Sequence, residues 1–115
     1  MSKRYLVQIT PRAQKQIKKL APSVLPHVLD CLERLQTDAH PTGVEKLNQD
    51  PNFWRIKAGQ AHRVVYTILE ERSAIVIALV SPRREVYREV ANLNHAQLIR
   101  LAMNENYLQA SSARH

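Results

Sequence analysis

The residues best suited to chemistry lie in a basic block at positions 53–66. Side chains alternate between the two faces of a β-strand, so Arg55 and Lys57 are predicted to share one face while Trp54 packs in the core behind it. Arg63, on the next β-like segment, can join the same cationic face. Guanidinium and ammonium groups bind phosphate oxygens through charge-assisted hydrogen bonds, which suits this face to an RNA strand.

A second basic group, Arg83, Arg84 and Tyr87, follows the apolar segment 74–80. These side chains can reach the same concave surface, where an aromatic ring such as that of Tyr87 can stack on a base. A basic sheet face that is merely solvated is the alternative interpretation of both groups.

The charge balance favours a polyanionic partner. The 115 residues include 17 Lys and Arg against 10 Asp and Glu, a formal net charge of +7. A field of this sign concentrates nucleic acids around a protein. The sequence has no apolar run that could span a membrane and no apolar segment behind its basic N-terminus, so we expect a cytoplasmic protein without a secretory signal.

Several other kinds of site are excluded by what the sequence lacks. Only two glycines occur, and neither a P-loop nor a Gly-rich dinucleotide loop is present. The five histidines are scattered and no H-E-x-x-H motif occurs, so we expect no metal site and no cofactor. The single cysteine, Cys31, falls within an apolar helical pattern and is predicted to be a core residue.

The elements that must position the basic residues follow from hydrophobic periodicity. Residues 5–9 are predicted to form a strand, and Thr10 before Pro11 is a typical helix start. Apolar residues at helical spacing predict one helix after Pro11 and another over 24–35, which together form a helical hairpin. Short connections between three β-like segments predict an antiparallel meander. These segments are Phe53–Lys57, His62–Leu69 and Ala74–Val80.

The predicted fold class is α+β, with the N-terminal strand and the helical hairpin packed on an antiparallel β-sheet. A further C-terminal helix is expected from His95 to Tyr107, with Asn94 as its cap. We therefore divide the chain into a main domain, residues 1–93, and a helical extension with a frayed tail of the same domain, residues 94–115.

Four motifs, in this order, resemble the RelE/ParE superfamily of bacterial toxin–antitoxin toxins, and its RelE-like branch in particular. The resemblance covers about residues 5–90. The motifs are A-x-K-x-x-K-K-L at Ala13–Leu20, P-x-G-x-x-K-L at Pro41–Leu47, W-R-I-K-x-G-x-x-x-R-V-x-Y at Trp54–Tyr66 and R-R-E-V-Y-R at Arg83–Arg88.

The resemblance implies a metal-independent endoribonuclease toxin that cuts mRNA in the ribosomal A site and blocks translation, with a cognate antitoxin protein as partner. In such enzymes the ribose 2′-OH attacks the adjacent phosphate. The catalytic residues implied for this chain are Lys57 as base, Arg63 on the phosphate, Arg83 as acid or charge stabiliser, and Tyr87 to orient or stack on the substrate. The residues implied to bind substrate are Lys46, Arg55 and Arg84.

The sequence departs from the RelE pattern at three places. Position 55 is Arg where RelE has Lys, which keeps the charge but not the titratable amine. Pro82 replaces the histidine of an H-R-x-x-V-Y arrangement, and the turn before Arg83 is shorter, so Arg84 can hold the role given to Arg83.

Two alternatives concern the base and the function. YoeB-like toxins place a Glu base and a His–Arg pair where Glu45 and His62 stand, so Glu45 is an alternative base, whereas His62 is more simply a strand residue. A ParE-like toxin that poisons DNA gyrase without nuclease activity is the alternative function, and a non-catalytic RNA-binding module is a third. The full set of basic residues and Tyr87 favours the nuclease.

Overall fold

The computed structural model describes residues 4–103 and 108–109, which form one sheet with helices on both faces. The strands are β1 (Leu6–Ile9), β2 (Glu45–Lys46), β3 (Trp54–Ala58), β4 (His62–Leu69), β5 (Ala74–Pro82) and β6 (Leu108–Gln109). The helices are α1 (Pro11–Lys18), α2 (Leu25–Leu35), α3 (Val86–Val90) and α4 (His95–Met103), and 3₁₀ turns occupy Glu70–Arg72 and Arg83–Glu85. The predicted α+β class is confirmed. Within the described ranges, no helix combines the length and apolar character needed to cross a membrane.

The start of α1 has the capping geometry that the sequence predicts. The Thr10 hydroxyl accepts a hydrogen bond from the backbone N–H of Ala13 at 3.2 Å, and Pro11 occupies the first turn. This satisfies one of the N–H groups that a helix start leaves without an intrahelical partner. The Thr10 side chain also reaches the Ala78 carbonyl at 3.4 Å, which ties the helix start to β5.

The predicted meander is confirmed as the antiparallel series β3–β4–β5. Trp54 lies opposite Tyr66, and Val64 lies between Ile56 and Val80 in the ladders. A register shift between Val65 and Tyr66 interrupts the β4–β5 pairing. Such an irregularity increases the local twist of the strand and changes the direction of the side chains that follow it.

The sheet as a whole is mixed, which corrects the expectation of an antiparallel sheet. The strand order is β2-β3-β4-β5-β1-β6, and β1 runs parallel to β5, with Leu6 opposite Ala74 and Ile9 opposite Ile77. The physical reason is that β5 is buried on both faces and needs a strand on each side. Side-chain alternation reports which face a residue occupies but not the direction of its neighbouring strand.

The two sheet faces carry separate hydrophobic cores. One core lies under α1 and α2 and includes Cys31, Ile56 and Val64. Cys31 is 1% exposed, so its prediction as a core residue is confirmed. The other core lies under α3 and α4 and includes Phe53 and Leu79. The apolar side chains of β3 all pack in the first core, whereas Phe53, directly before the strand, packs in the second.

The C-terminal region agrees with the sequence in part. α4 begins at His95, and the Asn94 side-chain oxygen accepts from the Gln97 N–H at 3.0 Å, as expected of a cap. Leu108–Gln109 form a strand beside β1, in a region for which the sequence predicted only a helix and a frayed tail, because the outer edge of β1 offers unpaired backbone groups. The expected helix end at 104–107 and the expected frayed stretch at 111–115 lie outside the described residues.

Candidate functional site

A groove of about 910 Å³ opens at the end of the meander where the chain leaves β5. Its lining combines five cationic side chains with a single carboxylate and one aromatic ring. The lining residues are Glu45, Arg55, Lys57, Gln60, Ala61, Arg63, Arg83, Arg84 and Tyr87. Six of the seven site residues expected from the sequence are thus brought together from three parts of the chain.

Strand pairing sets the floor of the groove. Lys57 lies opposite Arg63 across the β3–β4 ladder, and Arg63 in turn lies opposite Ser81 of β5. Arg55 is two residues before Lys57 and shares its face, as alternation predicts. The cationic face inferred from the sequence is therefore a set of neighbouring side chains on adjacent strands.

Arg63 is held rigidly at this floor. It is 6% exposed, and its Nη1 donates to the carbonyls of His62 at 2.8 Å and Gln60 at 3.3 Å. Burial, followed by the nearby charges of Arg83 and Arg55, lowers the pKa of the Arg63 guanidinium. A buried guanidinium among like charges is short of counter-charge, so an anion in the groove relieves this repulsion.

The turn between β3 and β4 forms one wall of the groove. Gly59 has φ +69°, and a Cβ at this position would lie 3.1 Å from the His27 ring on α2. The turn is therefore packed tightly against the helical layer. The Ala61 carbonyl accepts from the Arg83 N–H at 2.7 Å, which fixes the start of the 3₁₀ turn beside it.

Gln60 is a groove residue that the motifs did not single out. Its carbonyl accepts a hydrogen bond from Arg63, and the residue lines the groove. The sequence did offer one indication: Gln60 is a polar residue in the four-residue connection, 58–61, predicted between two basic strands. A turn residue carries no alternation pattern, so its orientation was not predictable.

Tyr87 and Arg55 form the opposite rim. The Arg55 guanidinium carbon lies 5.7 Å from the centre of the Tyr87 ring, within the range of a cation–π contact. Gln49 Nε2 donates to the Tyr87 carbonyl at 2.9 Å, while the Tyr87 residue remains 50% exposed. The ring is thus positioned by its neighbours and still has a free surface on which a base can stack.

The carboxylate of Glu45 faces Arg55. Glu45 Oε1 lies 2.7 Å from Arg55 Nη2, with the Glu45 side chain 62% exposed and the Arg55 side chain 24% exposed. This ion pair occupies one carboxylate oxygen and directs the arginine toward the rim. Both candidate bases, Glu45 and Lys57, therefore lie in the groove.

Lys46 lies on the other face of the sheet, away from the groove lining. Its Nζ lies 5.1 Å from the centre of the Trp54 ring, its partner across the β2–β3 ladder. Trp54 is half-buried, packs against the core under α1 and α2, and meets the His40 ring edge-on at 4.7 Å. Alternation explains this placement, because Lys46 follows the groove residue Glu45 by one position.

His62 pairs with Pro82 and is absent from the lining residues.

Cys31 supports the strand behind the groove. Its thiol lies 3.2 Å from the Lys57 carbonyl as a donor, and burial raises the pKa of the thiol. The thiol is therefore kept protonated and serves as a weak donor to β3. Lys57 is tethered in this way to α2 through its backbone while its side chain stays exposed.

A protein-family model for the ParE toxin of the type II toxin–antitoxin system parDE matches residues 7–87. The chain belongs to this toxin family. The match covers the groove strands and ends at Tyr87, so it contains every lining residue. A search of curated proteins finds no match.

Solved structures place the chain in the wider RelE/ParE superfamily. A free-state mutant of the Escherichia coli toxin RelE is 25% identical with a TM-score of 0.62, over 75% of this chain and 93% of that one. Toxin–antitoxin complexes are also similar. The RelE–RelB complex of Pyrococcus horikoshii OT3 has a matching chain at 24% identity and TM-score 0.61, covering 70% of this chain and 96% of that one.

A YoeB dimer from Staphylococcus aureus shares the fold at 20% identity and TM-score 0.55, over 66% of this chain and 93% of its own. The chain is accordingly a type II toxin with a RelE-like fold, as the sequence motifs predicted.

Proposed function

We propose that this toxin is a ribosome-dependent mRNA endonuclease that blocks translation in the cytoplasm. The observation that carries the proposal is the convergence of Lys57, Arg63, Arg83 and Tyr87 on one groove. A site with five cations and one carboxylate fits a polyanionic substrate. An exposed ring at its rim fits a single-stranded base.

The reaction that fits this groove is internal transfer at one phosphodiester. The ribose 2′-OH loses its proton to a base, its oxygen bonds to the adjacent phosphorus, and the bond from phosphorus to the 5′-oxygen breaks. The departing oxygen takes up a proton. The products are a 2′,3′-cyclic phosphate and a 5′-OH end, and positive side chains supply the charge that stabilises the crowded phosphorane.

We assign Arg63 and Arg83 to that phosphorane. Arg63 is fixed by two backbone carbonyls, so little reorganisation is needed when charge develops. Arg83 is held beside the groove floor by its N–H bond to the Ala61 carbonyl at 2.7 Å, and its charge contributes to lowering the pKa of Arg63. This favours Arg83 over Arg84 for the role at the phosphate and leaves Arg84 and Arg55 to bind the flanking strand.

Lys57 is our assignment for the base. Its exposed side chain lies in the groove opposite Arg63, whereas Glu45 is engaged by Arg55 at 2.7 Å. Tyr87 is assigned to stacking and orientation. Lys46, on the other face, is not assigned to the reaction, although it remains available to ribosomal RNA because it is exposed.

Gyrase poisoning is the second candidate function, and the family-model match to a ParE toxin is the observation that favours it. A poison of that kind needs a docking surface but no phosphate-activating groove. The retained cations and Tyr87 support the nuclease over this candidate.

An antitoxin is the proposed protein partner. Several structurally similar chains come from toxin–antitoxin complexes, including RelE–RelB and YoeB–YefM pairs. A net charge of +7 and a groove with five cations fit an acidic antitoxin segment that covers the groove.

The test is a translation reaction with purified components in which mRNA 5′ ends are mapped after the toxin is added. We expect new ends at defined codon positions that require phosphorylation before adaptor ligation, because the reaction leaves 5′-OH ends. A Lys57→Gln/Arg83→Ala variant is the matched control and should produce none. Intact mRNA together with trapped gyrase–DNA cleavage complexes would overturn the proposal in favour of the second candidate.

A further inference from the structure

Glu89 of α3 forms a polar cluster that lies next to the groove without lining it. Its side chain is 15% exposed, and both carboxylate oxygens accept from Ser81 Oγ at 3.1 Å. Gln16 Nε2 of α1 donates to the same two oxygens at 3.1 and 3.2 Å. A carboxylate that is largely removed from water needs such donors, so this arrangement is specific to the charged group.

The partners of Glu89 are themselves fixed. Ser81 is fully buried at the end of β5, and Gln16 Oε1 accepts from the Val80 N–H at 2.8 Å. Arg12 Nη2 approaches the carboxylate at 3.8 Å from the first turn of α1. One carboxylate thus joins α1, β5 and α3.

The cluster brackets the part of the chain that enters the groove. Ser81 precedes Arg83 by two residues, and Glu89 follows Tyr87 by two. Ser81 also lies opposite Arg63 in the β4–β5 ladder. Closing a hydrogen bond between Ser81 and Glu89 therefore fixes both ends of the intervening segment beside Arg63.

We propose that Glu89 is a positioning residue that sets the orientation of residues 83–87 in the groove through Ser81 and Gln16. α3 has only five residues, too few to be stable without tertiary contacts. Val86 and Val90 pack it into the core under α4, but apolar contacts alone set no unique rotation of so short a helix. The Glu89 hydrogen bonds supply that directional constraint.

The test is a swap of the two side chains that face each other. Gln16→Glu places two carboxylates together, and Glu89→Gln removes one acceptor and the charge. The double variant Gln16→Glu/Glu89→Gln restores the hydrogen bonds among the three elements but not the 3.8 Å Arg12 ion pair: the carboxylate at position 16 accepts from the Val80 N–H and from the amide at position 89, whose oxygen accepts from Ser81. Glu71→Gln, at an exposed position with the same loss of charge, is the matched control.

Two readouts are taken on each variant: the single-turnover cleavage rate on programmed ribosomes at saturating toxin, and amide hydrogen exchange along the chain. For Gln16→Glu we expect cleavage to slow by about tenfold to a hundredfold, since a misplacement near 1 Å can cost about that much. Ribosome affinity should stay within about twofold. Exchange should quicken within residues 83–91 before the central strands, and the double variant should recover both readouts.

The cleavage readout rests on the proposed function, whereas the exchange readout does not. If wild-type toxin cleaves no RNA, the proposed function fails, and local exchange at residues 83–91 still decides the positioning role. If amide hydrogen exchange at residues 83–91 of Gln16→Glu proceeds at the wild-type rate, the inference is overturned. A defect that the double variant does not repair, or faster exchange spread evenly over the sheet, would also overturn it, because each indicates a general loss of stability.

Discussion

Arg63 shows how a single side chain gains its properties from both sequence and fold. Alternation along β4 assigns it to the cationic face, and the structure adds that it is 6% exposed with its guanidinium bonded to two carbonyls. Those carbonyls belong to Gln60 in the turn and to His62 at the start of β4, and the strand pattern does not describe how the turn orients them. The charge at this position was predictable, but its rigidity was not, because it depends on backbone orientation in the turn.

Lys46 illustrates a limit of the same kind. Its motif placed it among the substrate-binding residues, whereas the strand geometry turns it toward Trp54 on the other face. β2 has only two residues, too short for alternation to reveal a buried side. In the longer strands β3 and β4, alternation assigned Arg55, Lys57 and Arg63 to one face correctly.

The identity of the base can be tested by neutral substitutions at the two candidates. We expect Lys57→Gln to slow single-turnover cleavage by about a hundredfold to ten-thousandfold, the usual contribution of a general base. Glu45→Gln should slow it by less than about tenfold, since this residue acts by holding Arg55. Both rates are measured at saturating toxin, so that differences in ribosome binding do not affect the cleavage rate. The opposite order of the two rates would assign the base to Glu45.

Two neighbouring aromatic residues should differ in their contribution to stability. Phe53 is fully buried under α3 and α4, so Phe53→Ala is expected to lower the free energy of unfolding by about 3–5 kcal/mol. Trp54 is only half-buried, so Trp54→Ala should lower the free energy of unfolding by less than Phe53→Ala does. Urea unfolding followed by circular dichroism measures both. Equal losses would show that the indole is packed as completely as Phe53.

At the level of elements, the meander was predictable because its three strands are joined by short connections. The position and direction of β1 were not, because it reaches β5 from far along the chain. Local patterns carry no information about which distant strand completes a sheet. The same reason explains why no strand was predicted at Leu108–Gln109, after the predicted end of the C-terminal helix.

The packing of α4 on the sheet provides a test at this scale. Ala102 is 3% exposed against Val76, and its carbonyl accepts from Gln8 Nε2 at 3.2 Å. Ala102→Asp would bury an unpaired carboxylate, and we expect a loss of several kcal/mol in unfolding free energy. Met103→Asp, at a residue that is 44% exposed, is the control and should stay within about 0.5 kcal/mol of wild type.

Equal unfolding free energies for Ala102→Asp and Met103→Asp would mean that α4 is not docked on the sheet through Ala102. A loss confined to Ala102→Asp would confirm that the helix following the family-matched region contributes to the fold.

At the scale of the whole molecule, the charge distribution links the fold to its partners. The net charge is +7, and five cations line the groove together with one carboxylate. Such a concentration of like charge is unfavourable in the free protein and is relieved by a polyanion, whether an RNA strand or an acidic antitoxin segment. Under the proposed function, RNA and the antitoxin segment compete for one groove, which gives a direct physical route to neutralisation.

The measurement that tests the central claim most directly is the single-turnover rate of mRNA cleavage on programmed ribosomes with toxin in saturating excess. Arg63→Ala and Arg83→Ala remove charge assigned to the phosphorane, while Lys18→Ala removes an exposed charge from α1. We predict that each groove variant is slower by about a hundredfold to a thousandfold, the usual cost of one preorganised donor, and that Lys18→Ala cleaves at the wild-type rate. Wild-type rates for both groove variants at saturation would contradict the account and reduce these arginines to positioning the RNA.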